Sequence, residues 1–280
     1  MASSSYFLLH DSSQGYYSVI FTKSRMKSIS EINGVGRKKA SLLRKAGYYS
    51  IEKIANTDIK ELIKIKGIGE KTAFSIIKRA QSIHFNKVLR LNDRVNPFPR
   101  DQLILIDIET DLGCSYVWAI CAQLADGTIK QWFAPRKSQS EKIITEFENW
   151  LHELSANYDS LVLGSWSSFD FRVLAKLGSR RLRSFFNTFS VVDFLAEVKK
   201  NYAIPTSSFG LKPVSAFLGY KYDEKGMDGM VAASTYMRFE SLGGVPVNVK
   251  DKLLQYNKDD VLAMWLVLDQ TLYAISEKEK

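Results

Sequence analysis

The sequence predicts an α/β fold, a mixed sheet with flanking helices, preceded by a small all-α unit. Three observations carry this. A glycine-rich turn recurs in residues 28–85, each time opening an amphipathic stretch. From residue 103 the texture becomes short apolar runs of strand length, three of them early and the later ones alternating with helical patterns. The charge also changes along the chain. Residues 1–100 carry 19 Lys and Arg against 7 Asp and Glu (+12), and the remainder 20 against 23 (−3). A basic first third meets either a polyanion or only solvent.

Composition narrows the classes. The 280 residues are 45% hydrophobic and 25% charged, with net charge +9, which excludes a disordered, collagenous or disulfide-stapled chain. No apolar run approaches the roughly 18 residues of a spanning helix, so a membrane partner is not expected. Lys or Arg is absent before Lys23, unlike a secretory signal with a charged start. Two cysteines, Cys114 and Cys121, read as reduced, half-buried residues of a cytoplasmic protein.

Residues 1–27 hold two apolar runs around Ser12-Ser13-Gln14-Gly15, the pattern of a hairpin. A lone hairpin is marginal, so it either packs on a neighbour or is the tail of a further domain. In 28–85, Ile32-Asn33-Gly34-Val35-Gly36 returns 33 residues later as Ile65-Lys66-Gly67-Ile68-Gly69. Residues 86–100, with two prolines and no period, read as a linker. Residues 101–280 form the second domain. Strands are expected at 103–106, 116–124, 129–133, 161–163 and 189–192, with Asp126-Gly127 turning a hairpin. Helices are expected at 138–154 and 249–273, the first from Ile143, Ile144, Phe147, Trp150 and Leu151 at helical spacing.

A glycine pair before a helix can serve a phosphate. Glycine permits positive φ and a close backbone approach, and a helix N-terminus offers unpaired N–H groups and partial positive charge. A single such turn also simply ends one helix and starts another. Two copies at matching offset, each with a lysine two residues on, resemble a tandem helix-hairpin-helix domain. That family binds the sugar-phosphate backbone of DNA without reading sequence. The resemblance implies Gly34, Gly36, Lys38, Gly67, Gly69 and Lys71 as the nucleic-acid-binding residues.

Asp107 and Glu109 end the first buried strand, and residues i and i+2 share a strand face. Two such acids are costly unless paired, metal-bound or exposed. Asp170 opens a helical pattern, where an acid is often a cap. Tyr256 and Asp260, four apart on the last helix, point together, while Asp259 points about 100° away, toward solvent. Arg180, Arg181 and Arg183 read as a solvated basic loop ahead of a lining for a substrate path.

The order D-x-E, F-D, Y-x-x-x-D resembles the DEDDy 3′–5′ exonucleases of the ribonuclease H-like superfold. More specifically, it is similar to a family whose ribonuclease H-like domain is often joined to helix-hairpin-helix repeats. Supporting segments are Val192-Asp193, Gly210-Leu211-Lys212 and Asp228-Gly229. The resemblance implies two divalent ions, Mg²⁺ or Mn²⁺, held by Asp107, Glu109, Asp170 and Asp260, with Asp107 bridging. Tyr256 is then the catalytic tyrosine that orients the attacking water, its ordinary pKa being too high for a base. Only three histidines, His10, His84 and His152, occur, in no zinc-like pattern. The expected partner is nucleic acid, DNA ahead of RNA. One departure stands out. Many relatives carry an Asn shortly before F-D, where this chain has Ser165-Trp166-Ser167-Ser168, so serines replace it or a substrate contact differs. The alternative to an exonuclease is an inactive nucleic-acid-binding or protein-docking module on the same fold.

Overall fold

The structure, a computed structural model, describes residues 28–92, 98–158, 160–224 and 226–274. The hairpin expected within 6–23 lies outside the described residues. The chain divides into two compact units between Phe85 and Asn86.

The first unit is helical: α1 (Arg37–Lys45), α2 (Ile51–Ala55), α3 (Ile59–Ile63) and α4 (Glu70–Phe85). The two sequence copies build the same turn. Val35 N–H donates to Ile32 O, and Ile68 N–H to Ile65 O, each at 2.9 Å. The first glycine of each pair takes positive φ, +84° at Gly34 and +95° at Gly67, which explains its type. The apolar residue between the glycines, Val35 or Ile68, turns inward to the core of Ile32, Leu43, Ile54, Leu62 and Ile76. Outside that core, Gln81 Nε2 ties α4 to the end of α2 by donating to Ala55 O at 3.0 Å.

The second unit holds β1 (Leu89–Arg90), β2 (Leu103–Thr110), β3 (Val117–Leu124), β4 (Ile129–Phe133), β5 (Val162–Ser165), β6 (Ser190–Asp193) and β7 (Tyr202–Ala203). Its helices are α5 (Ser140–Ser155), α6 (Phe169–Leu177), α7 (Arg180–Thr188), α8 (Phe194–Asn201), α9 (Leu211–Phe217), α10 (Gly229–Ser241) and α11 (Val247–Gln270). The sheet order is β4-β3-β2-β5-β6, antiparallel from β4 to β2 and parallel from β2 to β6. This is the expected mixed sheet with helices on both faces.

Strand alternation sorts the core. Leu103 and Leu105 pack with Val261, Met264 and Leu268 of α11. Ile104, Ile106 and Ile108 face the other way, onto Phe147 of α5 and Leu174 of α6. Asp107 and Glu109 therefore continue the face that α11 covers. At Gly164 the layers come closest: a Cβ there would lie 2.0 Å from Cε2 of Phe194, a fully buried ring.

The stretch expected as a linker is tied down where it is described. Leu89 and Arg90 pair with Ala203 and Tyr202. Arg100 stacks its guanidinium over Trp265 at 4.7 Å and pairs with Asp269. A two-residue strand is too short for a readable period, so nothing local announces it.

Candidate active site

Asp107, Glu109, Asp170, Asp260 and Tyr256 converge on a cavity of about 430 Å³ at the end of β2, whose rim Asp111 also lines. They come from three elements. Asp107 and Glu109 are one strand repeat apart on β2. Asp170 lies in the first turn of α6, just after β5. Tyr256 and Asp260 are one turn apart on α11, which crosses the same sheet face. A larger cavity, about 570 Å³, opens at the other end of the sheet beside Leu103, Leu124 and Leu161. The carboxylates line the smaller one.

One oxygen each of Asp107, Glu109 and Asp260 lies within 4.8 Å of the others. Glu109, Asp170 and Asp260 are buried, at 7%, 6% and 7% exposure. Burial raises all four acids, and repulsion from neighbouring acids adds to it. Asp107 and Glu109 rise well above the usual carboxylate range. Asp170 is pushed up to about 7, against donation from the Ser165 hydroxyl and backbone amides. Asp260 is pushed up to about 6, against the hydroxyls of Tyr222 and Tyr256. Such packing disfavours four bare negative charges and favours a compact cation among them. The donors are all carboxylate oxygens, the set that Mg²⁺ and Mn²⁺ prefer. The residues present fit those ions.

The structure brings together Asp107, Glu109, Asp170, Tyr256 and Asp260, all expected from sequence. Asp170 is not a cap: Ser168 holds the N-cap position, and the Asp170 side chain is buried. Tyr256 is raised above an already high value by burial and then by Asp260, so its hydroxyl stays protonated. The glycines and lysines of the first unit, Gly34, Gly36, Lys38, Gly67, Gly69 and Lys71, are all exposed. A Cβ at Gly36 or Gly69 would meet nothing within 4 Å, which leaves both helix starts open to an approaching phosphate. Lys39, rather than Lys38, folds back on its turn, donating to Gly34 O at 3.1 Å.

Asp259 corrects the expectation that it faces solvent. It is 2% exposed and accepts from the Tyr220 hydroxyl, the Asp223 amide and Gln255 Nε2, each at 3.0 Å. The direction about 100° from Asp260 is occupied by the 219–223 segment. The serines before Asp170 do take part: Ser165, whose hydroxyl donates to Ser167 O at 2.6 Å, acts against the rise of Asp170, and Ser167 lines the cavity. Arg181 and Arg183 serve the fold: Arg181 reaches Asn149 Oδ1 at 3.2 Å, and Arg183 donates to Gly178 O at 2.9 Å. Asp193 and Asp228 are helix caps.

Three residues at the site carried no role in the sequence reading. Asn257 Nδ2 donates to Asp107 Oδ2 at 2.6 Å. Tyr222 donates to Asp260 Oδ1 at 2.8 Å. The Lys212 ammonium sits 4.5 Å from the Tyr256 ring centre and 4.7 Å from that of Tyr222, and it lowers the pKa of both Glu109 and Asp260. A polar residue on the buried stripe of the last helix was the only signal for Asn257.

Residues 104–272, more than half the chain, match the family model of the RNase H superfamily. The chain belongs to the RNase H superfamily. Residues 26–82 match a SAM-like helix-hairpin-helix tandem, so the expected order of the two parts holds. A 69-residue stretch is 39% identical to the ATP-dependent DNA helicase Hel308 of Caldivirga maquilingensis, covering 24% of this chain and 9% of the helicase. The family B DNA polymerase of the hyperthermophilic archaeon Pyrobaculum calidifontis overlays 62% of this chain and 25% of its own, with 15% identity and a TM-score of 0.46. That likeness is too slight to bear on function. In this RNase H superfamily member, the carboxylates lie where β2 and β5 end side by side, the usual place for ligands in open α/β sheets. Among the described residues no helix is long and apolar enough to cross a membrane.

Proposed function

We propose that this chain is a metal-dependent 3′–5′ exonuclease acting on nucleic acid, DNA ahead of RNA, with the helix-hairpin-helix unit as its backbone-binding arm. The observation that carries the reading is the convergence of Asp107, Glu109, Asp170 and Asp260 with Tyr256 in one cavity. Their order along the chain is that of the DEDDy exonucleases. The likeness of a 69-residue stretch to a DNA helicase supports DNA.

Asp107, Glu109 and Asp260 would hold one divalent ion, and Asp107 with Asp170 a second. Bound there, such ions supply an activated water and charge stabilisation for the leaving oxygen. The protein's own groups do the rest. Asn257 fixes the Asp107 carboxylate by its 2.6 Å bond. Tyr256, protonated, orients the water through its hydroxyl and does not remove a proton. Lys212 offsets part of the negative charge that would repel the phosphodiester. The exposed glycine turns present backbone N–H groups to phosphates further along the strand. Placement in the cytoplasm rests on two cysteines, both free.

The test is a gel assay with DNA and RNA of one sequence, labelled at the 5′ end, at increasing Mg²⁺ or Mn²⁺. A metal-dependent ladder shortening from the 3′ end is expected. In Asp107→Ala it should fall by about a thousandfold or more, if the lost stabilisation is several kcal/mol. Metal-independent cleavage, or a fully active Asp107→Ala, overturns the reading. Binding without cleavage by the parent would favour the inactive-module alternative.

A further inference from the structure

Two tyrosine hydroxyls act on Asp260, those of Tyr222 and Tyr256, and the first is within hydrogen-bond distance. Tyr256 lies on the same helix and lines the cavity. Tyr222 arrives from a different element, the segment between α9 and α10, and binds Asp260 Oδ1 at 2.8 Å. That segment is itself held by Asp259. One carboxylate oxygen takes the Tyr220 hydroxyl and the other the Asp223 backbone amide, each at 3.0 Å. Gln255 closes the arrangement by donating to Asp223 Oδ2 and Asp259 Oδ1, both at 3.0 Å. The rings of Tyr220 and Tyr222 meet edge to face at 5.0 Å. Adjacent acids of α11 thus do different work. Asp259 anchors a strap, and the strap delivers a hydroxyl to Asp260.

The geometry points to Tyr222 as a positioning residue for Asp260, held in place by the Asp259-anchored strap. This rests on the carboxylate cluster being the metal site proposed above. A carboxylate that turns freely loses part of its worth as a ligand, which is why outer partners of metal ligands matter. With the Tyr256 hydroxyl engaged in orienting a water, Tyr222 holds that carboxylate through its 2.8 Å bond. The two tyrosines at Asp260 therefore divide the work: Tyr222 governs how tightly the site binds metal, and Tyr256 governs turnover.

The experiment titrates Mn²⁺ alone into the full chain by calorimetry and, separately, measures cleavage at saturating Mn²⁺. Tyr222→Phe removes one oxygen and is expected to weaken Mn²⁺ binding by about tenfold, the low end for an outer partner of a metal ligand. Tyr256→Phe is expected to bind Mn²⁺ within about twofold of the parent yet cleave far more slowly at saturation. Circular dichroism establishes that each variant is folded. Should Tyr222→Phe fail to fold, Asp259→Asn decides, because loosening the strap must also weaken Mn²⁺ binding. Parent-like Mn²⁺ affinity in the folded Tyr222→Phe, or in Asp259→Asn where that variant decides, overturns the inference. Loss of Mn²⁺ affinity equally in Tyr256→Phe overturns the division of work. A parent that binds Mn²⁺ but does not cleave sinks the nuclease reading and leaves this inference to the binding data. A parent that binds no Mn²⁺ ends both.

Discussion

Asn257 Nδ2 donates to Asp107 Oδ2 at 2.6 Å, joining α11 to β2 across 150 positions of sequence. The amide is fully buried and also reaches Asp107 O at 3.3 Å. Its bond opposes the rise that burial and the neighbouring acids impose on Asp107. It therefore keeps the carboxylate both oriented and ready to ionise.

Asn257→Ala should leave a folded protein with roughly 10- to 100-fold lower cleavage, recovered in part at high metal concentration. Cleavage rates against Mn²⁺ concentration check this. A variant indistinguishable from the parent at all concentrations would show that the bond orients nothing.

Stability without metal should depend on pH in a defined direction. Asp170 at about 7 and Asp260 at about 6 stand well above the ordinary carboxylate value of about 4. Between those values the folded state holds protons that the unfolded chain has released. The stabilisation is complete below about pH 4 and is lost as pH rises through about 7. Melting in EDTA should fall over that window, and Mg²⁺ should raise it most at the upper end. Asp170→Asn should flatten the slope. A melting temperature equally pH-dependent in that variant contradicts the assignment.

Gly36→Ala with Gly69→Ala separates binding from folding in the arm. Neither glycine needs positive φ, and neither Cβ meets a neighbour, unlike the positive-φ positions Gly34 and Gly67. The double variant should keep the helical circular dichroism of the parent. It should bind long DNA more weakly, with a shallower dependence on salt, because a methyl group keeps phosphate from the helix N-termini. The second-unit fragment for comparison must begin at residue 86, since Leu89 and Arg90 pair with β7. Unchanged affinity and salt slope in the double variant would move the arm toward protein docking.

Gly164→Ala should destabilise the second unit by about 1–3 kcal/mol. The added Cβ would stand 2.0 Å from Phe194 Cε2 and 3.0 Å from Leu105 Cδ2, both on fully buried side chains. Urea denaturation of residues 86–280 reads this. A stability within about 0.5 kcal/mol of the parent would mean that the layers shift freely.

Local periodicity determined much of this protein from the sequence alone. A period of two put Asp107 and Glu109 on one face of a buried strand, and a period of 3.6 put Tyr256 and Asp260 on one face of a helix. The repeated glycine turn was legible because glycine takes, at no steric cost, the positive φ found at Gly34 and Gly67. Tertiary packing supplied what periodicity does not contain. The angular argument for Asp259 had the right direction and the wrong surroundings, because a helix's period says where a side chain points and not what waits there. The strap carrying Tyr222, the bond from Asn257 and the short strand at Leu89 are contacts between distant segments. Each depends on which elements the folded core brings side by side, and no local pattern encodes that.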